Sequence, residues 1–245
     1  MNNIFLNVYT NGLDRSTCKV VLIEAIKTDS QLDITDHFKG IVKPSSDFVY
    51  NEELTVINGI TKEEIELNGD KLQTVFDKFC DFSKDSTIIG HNITKLGIPI
   101  LYINMRQENI SPKTNLWKQP IIDLFNLSRT IPCVHSKVDL KKYYNLNTST
   151  NSVNDILWLY KKISNDVTSN EIIANKLAPD GWLNYDGDKI RLSKGKFAGY
   201  ALSSKSLAEM RDYKDFILSN CCPRTAHTLT HIDVLYSKLN TIKNN

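Results

Sequence analysis

Ile4-Phe5-Leu6-Asn7-Val8-Tyr9, running into the turn signal Asn11-Gly12, is the stretch that decides the fold. Its aromatic and β-branched side chains, closed by a dipeptide that favours tight turns, predict a first strand. Strand residues i and i+2 share a face, so Asn7 and Tyr9 present their polar groups together. A second apolar run spans Lys19 to Lys27, with VVLIEAI at its centre. A third alternates from His37 to Val42 and stops before Pro44. Three strands separated by turns predict an antiparallel meander.

Helical signals follow. Thr61 with Glu64 three residues later is a capping box. Leu72, Val75, Phe76 and Phe79 recur at helical spacing, and Ile98 to Met105 does the same. Ser86 to Gly90 and Pro120 to Asp123 read as short strands. Leu140 to Tyr144 and Val153 to Ile163 read as helices, the latter with Val153, Ile156, Leu157, Tyr160 and Ile163 on one apolar face. A meander followed by alternating helices and short strands predicts an α/β sandwich on a mixed sheet. The polar stretch 166–180 is expected to be a linker between a domain over 1–165 and a small α+β module over 181–245. In the module, Asp186-Gly187 predicts the turn of a hairpin over Leu183 to Ile190. Leu207 to Leu218, and a segment carrying Leu229, Ile232, Leu235 and Leu239, read as helices.

The bulk numbers exclude little. The chain has 245 residues, enough for one sizeable core plus an appendage, and 30 basic residues against 28 acidic ones leave a net charge of only +2. Any nucleic-acid interface must therefore be a local patch. The five cysteines, Cys18, Cys80, Cys133, Cys221 and Cys222, have irregular spacings and no CxxC pair, which argues against a zinc site or a disulfide framework. Cys221 and Cys222 read as buried thiols near a helix boundary. No basic, apolar leader and no membrane-length apolar run is present, so the expectation is a cytoplasmic protein, or a virion-associated one if the source is viral.

Over roughly residues 3–165 the sequence resembles the DnaQ-like, or DEDDh, 3′–5′ exonucleases. Leu6-Asn7-Val8-Tyr9-Thr10-Asn11-Gly12-Leu13 looks like their first motif, Asp-x-Glu-Thr-Thr-Gly. Asn58-Gly59-Ile60-Thr61 is similar to the family's His-Gly-Ile-Thr turn. Gly90-His91-Asn92 through Leu96-Gly97-Ile98-Pro99 resembles the second motif, Gly-His-Asn … Phe-Asp-Ile-Pro. Ile121-Ile122-Asp123-Leu124 with Ser128-Arg129 resembles a strand-to-helix segment, and Thr150 through Asp155 resembles the third motif, His-x-Ala-x-x-Asp. The resemblance implies a ribonuclease H-like domain. Its relatives hydrolyse phosphodiesters with two divalent ions held by carboxylates, and a histidine deprotonates the attacking water.

At the positions that match, the ligands are mostly replaced. The two first-motif acids correspond to Asn7 and Tyr9, the second-motif Asp to Gly97 and the base to Thr150; only Asp155 is kept. Asp155 also reads as a solvated residue or a cap, and His91-Asn92 as a brace for the strand end. The expectation from these residues is a pseudo-exonuclease. It would be no enzyme, with no catalytic residues and no metal or other cofactor, and would serve as a binding or structural module. The alternative is a weak metal-dependent 3′–5′ exonuclease using Mg²⁺ or Mn²⁺ on atypical ligands. A protein partner or a homodimer is expected, with single-stranded nucleic acid as a further partner and no membrane.

The tail resembles the small C-terminal module of exonuclease X-type proteins. Ile190 to Gly199 is similar to that module's Phe-Gly-Lys-Tyr-Lys-Gly segment, and Tyr213 to Leu218 to its Tyr-x-x-Trp stretch. Lys189, Arg191, Lys194 and Lys196, beside Phe197, could grip phosphates and stack bases. A solvated hairpin face is the equal alternative.

Overall fold

The computed structural model describes residues 2–12, 14, 17–44, 48, 50, 59–130, 137–146, 152–186, 189–194, 198–199, 201, 219–223 and 225–226. Strands β1 (Asn3–Thr10), β2 (Val20–Thr28) and β3 (Ile34–Ile41) form the expected meander, with β1–β2 and β2–β3 antiparallel. β4 (Thr87–Gly90) pairs parallel with β1, and β5 (Ile121–Asp123) pairs parallel with β4. The five-stranded order is β3-β2-β1-β4-β5, the mixed sheet of an α/β, ribonuclease H-like fold.

The alternation along β1 assigns its two faces. Ile4 and Leu6 face one core, against α2 (Leu72–Phe82), while the preceding α1 (Lys62–Asn68) packs Ile65 with Tyr9 and Leu22 in a smaller cluster. The capping box is present: the Thr61 hydroxyl accepts from the Glu64 amide at 3.1 Å. The helical stripe of α2, Leu72, Val75, Phe76 and Phe79, is buried in this core together with Ile98, Leu101 and Met105 of α3 (Ile98–Gln107). Phe5 points the other way, into a second core with Ile26, Ile89 and Ile122. That core is closed by α6 (Val153–Asp166), which follows the short α4 (Leu124–Leu127) and α5 (Lys137–Tyr143) and buries Val153, Ile156, Leu159 and Ile163.

Helix α2 packs closely on β3 through Gly40. A Cβ at that position would stand 2.4 Å from Val75 Cγ1 and 2.9 Å from Phe38. Gly40→Ala is therefore expected to lower the stability by about 1–3 kcal/mol through overpacking. A chemical-denaturation midpoint equal to the parent's would show that α2 can retreat at no cost.

Residues 166–180, read as a linker, contain a helix, α7 (Ser169–Leu177). Polarity alone does not reveal this helix, which is tied to the sheet by Asn175 and by Ile172 packed against the second core. Asn175 is buried and accepts from the Asp123 amide at 2.8 Å through Oδ1. In the module, β6 (Leu183–Asp186) and β7 (Lys189–Leu192) form the expected hairpin, with Asp186 opposite Lys189. The turn residues Gly187 and Asp188, and the helices expected over Leu207 to Leu218 and around Leu229 to Leu239, lie outside the described residues.

Candidate active site

Asn7 and Tyr9 share the face of β1 that looks toward α6, as the strand period requires. The antiparallel register sets Glu24 of β2 directly opposite Asn7. The Tyr9 hydroxyl donates to Glu24 Oε2 at 2.8 Å and is also hydrogen-bonded by the Asn7 side chain. Burial, then the negative charges of Glu24 and Asp155, hold the Tyr9 phenol far above its ordinary range. It is thus a neutral donor at every working pH.

Asp155 sits in the first turn of α6, whose N-cap is Ser152. Its carboxylate is buried and accepts from Lys141 Nζ of α5 at 2.6 Å, a pair with side-chain exposures of only 5% and 11%. One helical turn earlier on α5 stands Lys137, which feels both Asp155 and Glu24. Desolvation outweighs these two attractions and pushes its ammonium down to about 8. The structure therefore gathers Asn7, Tyr9, Glu24, Asp155, Lys137 and Lys141 into one cluster. Glu24 and the two lysines were not singled out by the sequence reading.

The other motif positions fall differently. Gly97 stands at the N-cap of α3, against Ile93 and Val8. A Cβ there would meet Ile93 Cδ1 at 2.3 Å and Val8 Cγ2 at 3.5 Å, and Val8 is on the opposite face of β1. Thr150 lies outside the described residues. His91 and Asn92 end β4, and His91 meets the Phe125 ring edge-on at 5.8 Å between centroids. Burial, then the Lys137 charge, holds the imidazole down at about 3, so it is neutral.

Asp123 braces this strand end. Fully buried, its carboxylate accepts from the Asn92 amide at 2.7 Å, the Thr94 amide and hydroxyl at 3.1 and 2.6 Å, and the Phe125 amide at 3.1 Å. Desolvation outweighs these donors and pushes the carboxyl up from 3.8 to about 6. A folded-state value above the unfolded one contributes stability at pH below 3.8 that is lost as pH rises through about 6. At about 1.4 kcal/mol per pH unit, the interval corresponds to roughly 3 kcal/mol. Asp123→Asn is expected to flatten the decline of stability between those pH values. An unchanged pH profile of unfolding would assign the decline to other groups.

In the module, Lys189 lies on β7, while Lys196 and Phe197 lie outside the described residues. Arg191 donates to the Gly199 carbonyl at 2.8 Å. Lys194 donates to the Asp180 carbonyl at 2.6 Å and stands 6.0 Å from the Trp182 ring centre. Both cations thus donate to backbone carbonyls, Arg191 within the tail and Lys194 to the segment that precedes it. Cys222 is half-buried, its amide donating to Asp180 Oδ2 at 2.6 Å.

The residues present do not fit a pair of dications. Among the described residues no three His, Cys, Asp or Glu side chains come together. The acids that stand beside Tyr9 and Lys137 are Glu24 and Asp155. Mg²⁺ is commonly held by one or two carboxylates with the remaining positions left to water and substrate phosphate, and the cluster offers Glu24, Asp155 and the Asn7 amide oxygen.

The RNase_T exonuclease family model matches residues 10–162. The chain is 29% identical over 147 residues to the PolC-type DNA polymerase III of Pediococcus pentosaceus, covering 59% of this chain and 9% of that protein. It is 25% identical over 174 residues to the corresponding enzyme of Mycoplasma genitalium, covering 65% of this chain and 11% of that protein. The chain thus spans about a tenth of the length of these relatives. Product-bound exonuclease I superposes with a TM-score of 0.57 at 15% identity, covering 70% of this chain and 45% of that one. E. coli exonuclease I in complex with a dA16 oligonucleotide gives 0.55 at 16% identity, covering 67% and 41%.

Two expectations are corrected. The chain was expected to be no enzyme and to use no cofactor, whereas the exonuclease match and these relatives point to an enzyme and to a divalent metal, Mg²⁺ or Mn²⁺. The structure also brings Glu24, a carboxylate of β2 that a search along the motifs alone does not count, beside Tyr9. With the motif order of the sequence, a mixed sheet carrying the site on β1 and α6, and a family match over more than half its length, this chain belongs to the DnaQ-like exonucleases of the RNase_T family.

Proposed function

We propose that the chain is a weak metal-dependent 3′–5′ exonuclease with atypical ligands, acting on single-stranded nucleic acid. The observation that carries this reading is the gathering of Glu24 and Asp155 around Tyr9 and Lys137, beside the positions that match the family's first and third motifs. The complex of exonuclease I with an oligonucleotide supports the choice of substrate. In the reaction, water adds to the terminal phosphodiester and the P–O3′ bond breaks. A nucleoside 5′-monophosphate is released and the proton ends on the departing 3′-oxygen.

Glu24, Asp155 and Asn7 would hold the divalent cation, which supplies Lewis-acid polarisation of the phosphoryl group. Lys137 and Lys141 add positive charge beside the same acids, in a site where desolvation strengthens each interaction. Their ammonium groups oppose the charge that develops on the phosphoryl oxygens. Tyr9 stays protonated and orients Glu24. A threonine at position 150 cannot act as the base, which lowers the rate by about 10²–10⁴ and makes the enzyme slow.

The test is a 3′-labelled and a 5′-labelled oligo(dT), incubated with the purified chain and Mn²⁺. The expected result is stepwise shortening from the 3′ end that EDTA stops. No shortening with either Mn²⁺ or Mg²⁺ sinks the proposal.

A further inference from the structure

A row of cations and aromatic rings runs from the Glu24–Asp155 cluster to the C-terminal module. Lys137, in the cluster, acts electrostatically on His91. His91 abuts the Phe125 ring. Phe125 is half-buried and is flanked by two exposed cations, with Lys95 Nζ 5.6 Å and the Arg129 guanidinium 6.0 Å from its ring centre. Both of these cations act in turn on Lys194, which stands over Trp182 in the module. The acid nearest the far end, Asp180, has its charge turned inward. Its oxygens accept from Thr225 Oγ1 at 2.6 Å and from the Cys222 amide at 2.6 Å.

Each part of this row has a different origin. Lys95 comes from the π-turn Ile93–Gly97 between β4 and α3, and Phe125 from α4. Arg129 comes from the 3₁₀ turn Ser128–Thr130 that follows α4. Asp123 fixes the first two relative to each other, since its carboxylate binds the amides of both Thr94 and Phe125. Asn126 ties the segment that leads into the module to them by donating to the Pro179 carbonyl at 2.6 Å. The row is thus a surface shared by the exonuclease domain and the tail.

We propose that Lys95, Phe125, Arg129, Trp182 and Lys194 form a track that binds the single strand of nucleic acid as it approaches the Glu24–Asp155 site. The chemistry is that of single-strand recognition: cations spaced along a backbone, with ring faces on which bases stack irrespective of sequence. The net charge of +2 hides this patch because the balance is drawn over the whole chain. The proposal rests on the exonuclease reading for its direction, but its binding surface can be measured without cleavage.

Fluorescence anisotropy of labelled oligo(dT), in EDTA, is measured on the full chain from about 50 to 200 mM salt. Oligo(rU) is a second arm that decides between DNA and RNA. Lys95→Ala/Arg129→Ala, at exposed positions, is expected to weaken binding at least tenfold at low salt. It should also reduce the slope of log K against log salt by about 1.4, at about 0.7 per phosphate contact on single strands. Phe125→Ala is expected to weaken binding about tenfold at all salt concentrations, because stacking carries no counterion. Since Phe125 packs beside buried residues, its variant is first checked by thermal melting, and the double variant keeps the test intact if it fails. A control, Lys62→Ala/Lys78→Ala, removes two exposed lysines remote from the row and should retain the parent slope. Unchanged affinity and slope in Lys95→Ala/Arg129→Ala, or an equal loss in the control pair, overturns the track. A chain that binds oligo(dT) through these residues but shortens nothing with Mn²⁺ would refute the exonuclease reading while leaving the track standing.

Discussion

Glu24→Gln is expected to reduce Mn²⁺-dependent shortening of oligo(dT) by about 10²-fold or more, with little change in folding. The loss follows from removing one of the two carboxylates proposed to hold the cation, since a bound metal contributes several kcal/mol of transition-state charge stabilisation. The fold is spared because Gln keeps an oxygen that can accept from the Tyr9 hydroxyl, the bond Glu24 now accepts at 2.8 Å. Asp155→Asn is expected to lose as much activity, but with a stability cost. Lys141 would lose the carboxylate it now meets at 2.6 Å, and breaking a buried ion pair from one side typically costs about 3–5 kcal/mol. The two variants therefore separate: equal loss of rate, unequal loss of melting temperature. Retention of the parent rate in folded Glu24→Gln would exclude this residue from the site.

The elements with a strong local signature were legible in the sequence. The alternation of Ile4 to Tyr9, the Thr61–Glu64 box and the stripe of Leu72 to Phe79 each produce the element they predict. Asp155 was found because a motif points to it. Glu24 was missed for a physical reason: within VVLIEAI it reads as an interruption of an apolar run. Its meaning comes only from the register that sets it opposite Asn7, a relation between residues far apart in sequence. Lys137 and Lys141 were missed likewise. On a short helix a lysine reads as solvated, and nothing local says that Lys141 is 9% exposed against Asp155. Gly97 shows the converse difference. The motif places it at the site, and it does open α3, but the turn that precedes it aims its Cα hydrogen at Ile93 and Val8.

That difference decides which substitution can strengthen the site. Asn7→Asp is expected to raise the rate and to make the fold depend on metal. Without metal the new carboxylate stands opposite Glu24 on neighbouring strands, a like-charge pair that weakens a sheet. It also competes for the single Tyr9 proton that Glu24 now accepts. The metal-free variant should therefore melt below the parent. A cation held between the new carboxylate and the Glu24 oxygens reverses both penalties, and ligand at about 100 times Kd adds about 2.7 kcal/mol of stability. At about 2–4 °C per kcal/mol for a chain of this size, Mn²⁺ should raise the melting temperature of Asn7→Asp by roughly 5–10 °C, well beyond the parent's response. Gly97→Asp is the contrasting case. Its side chain would start 2.3 Å from Ile93 Cδ1 on the other face of β1, so it should lose stability and gain no response to Mn²⁺. If Gly97→Asp gains the metal-dependent shift and Asn7→Asp does not, the cation belongs on the opposite face of β1, and the assignment of Glu24 as a ligand fails with it.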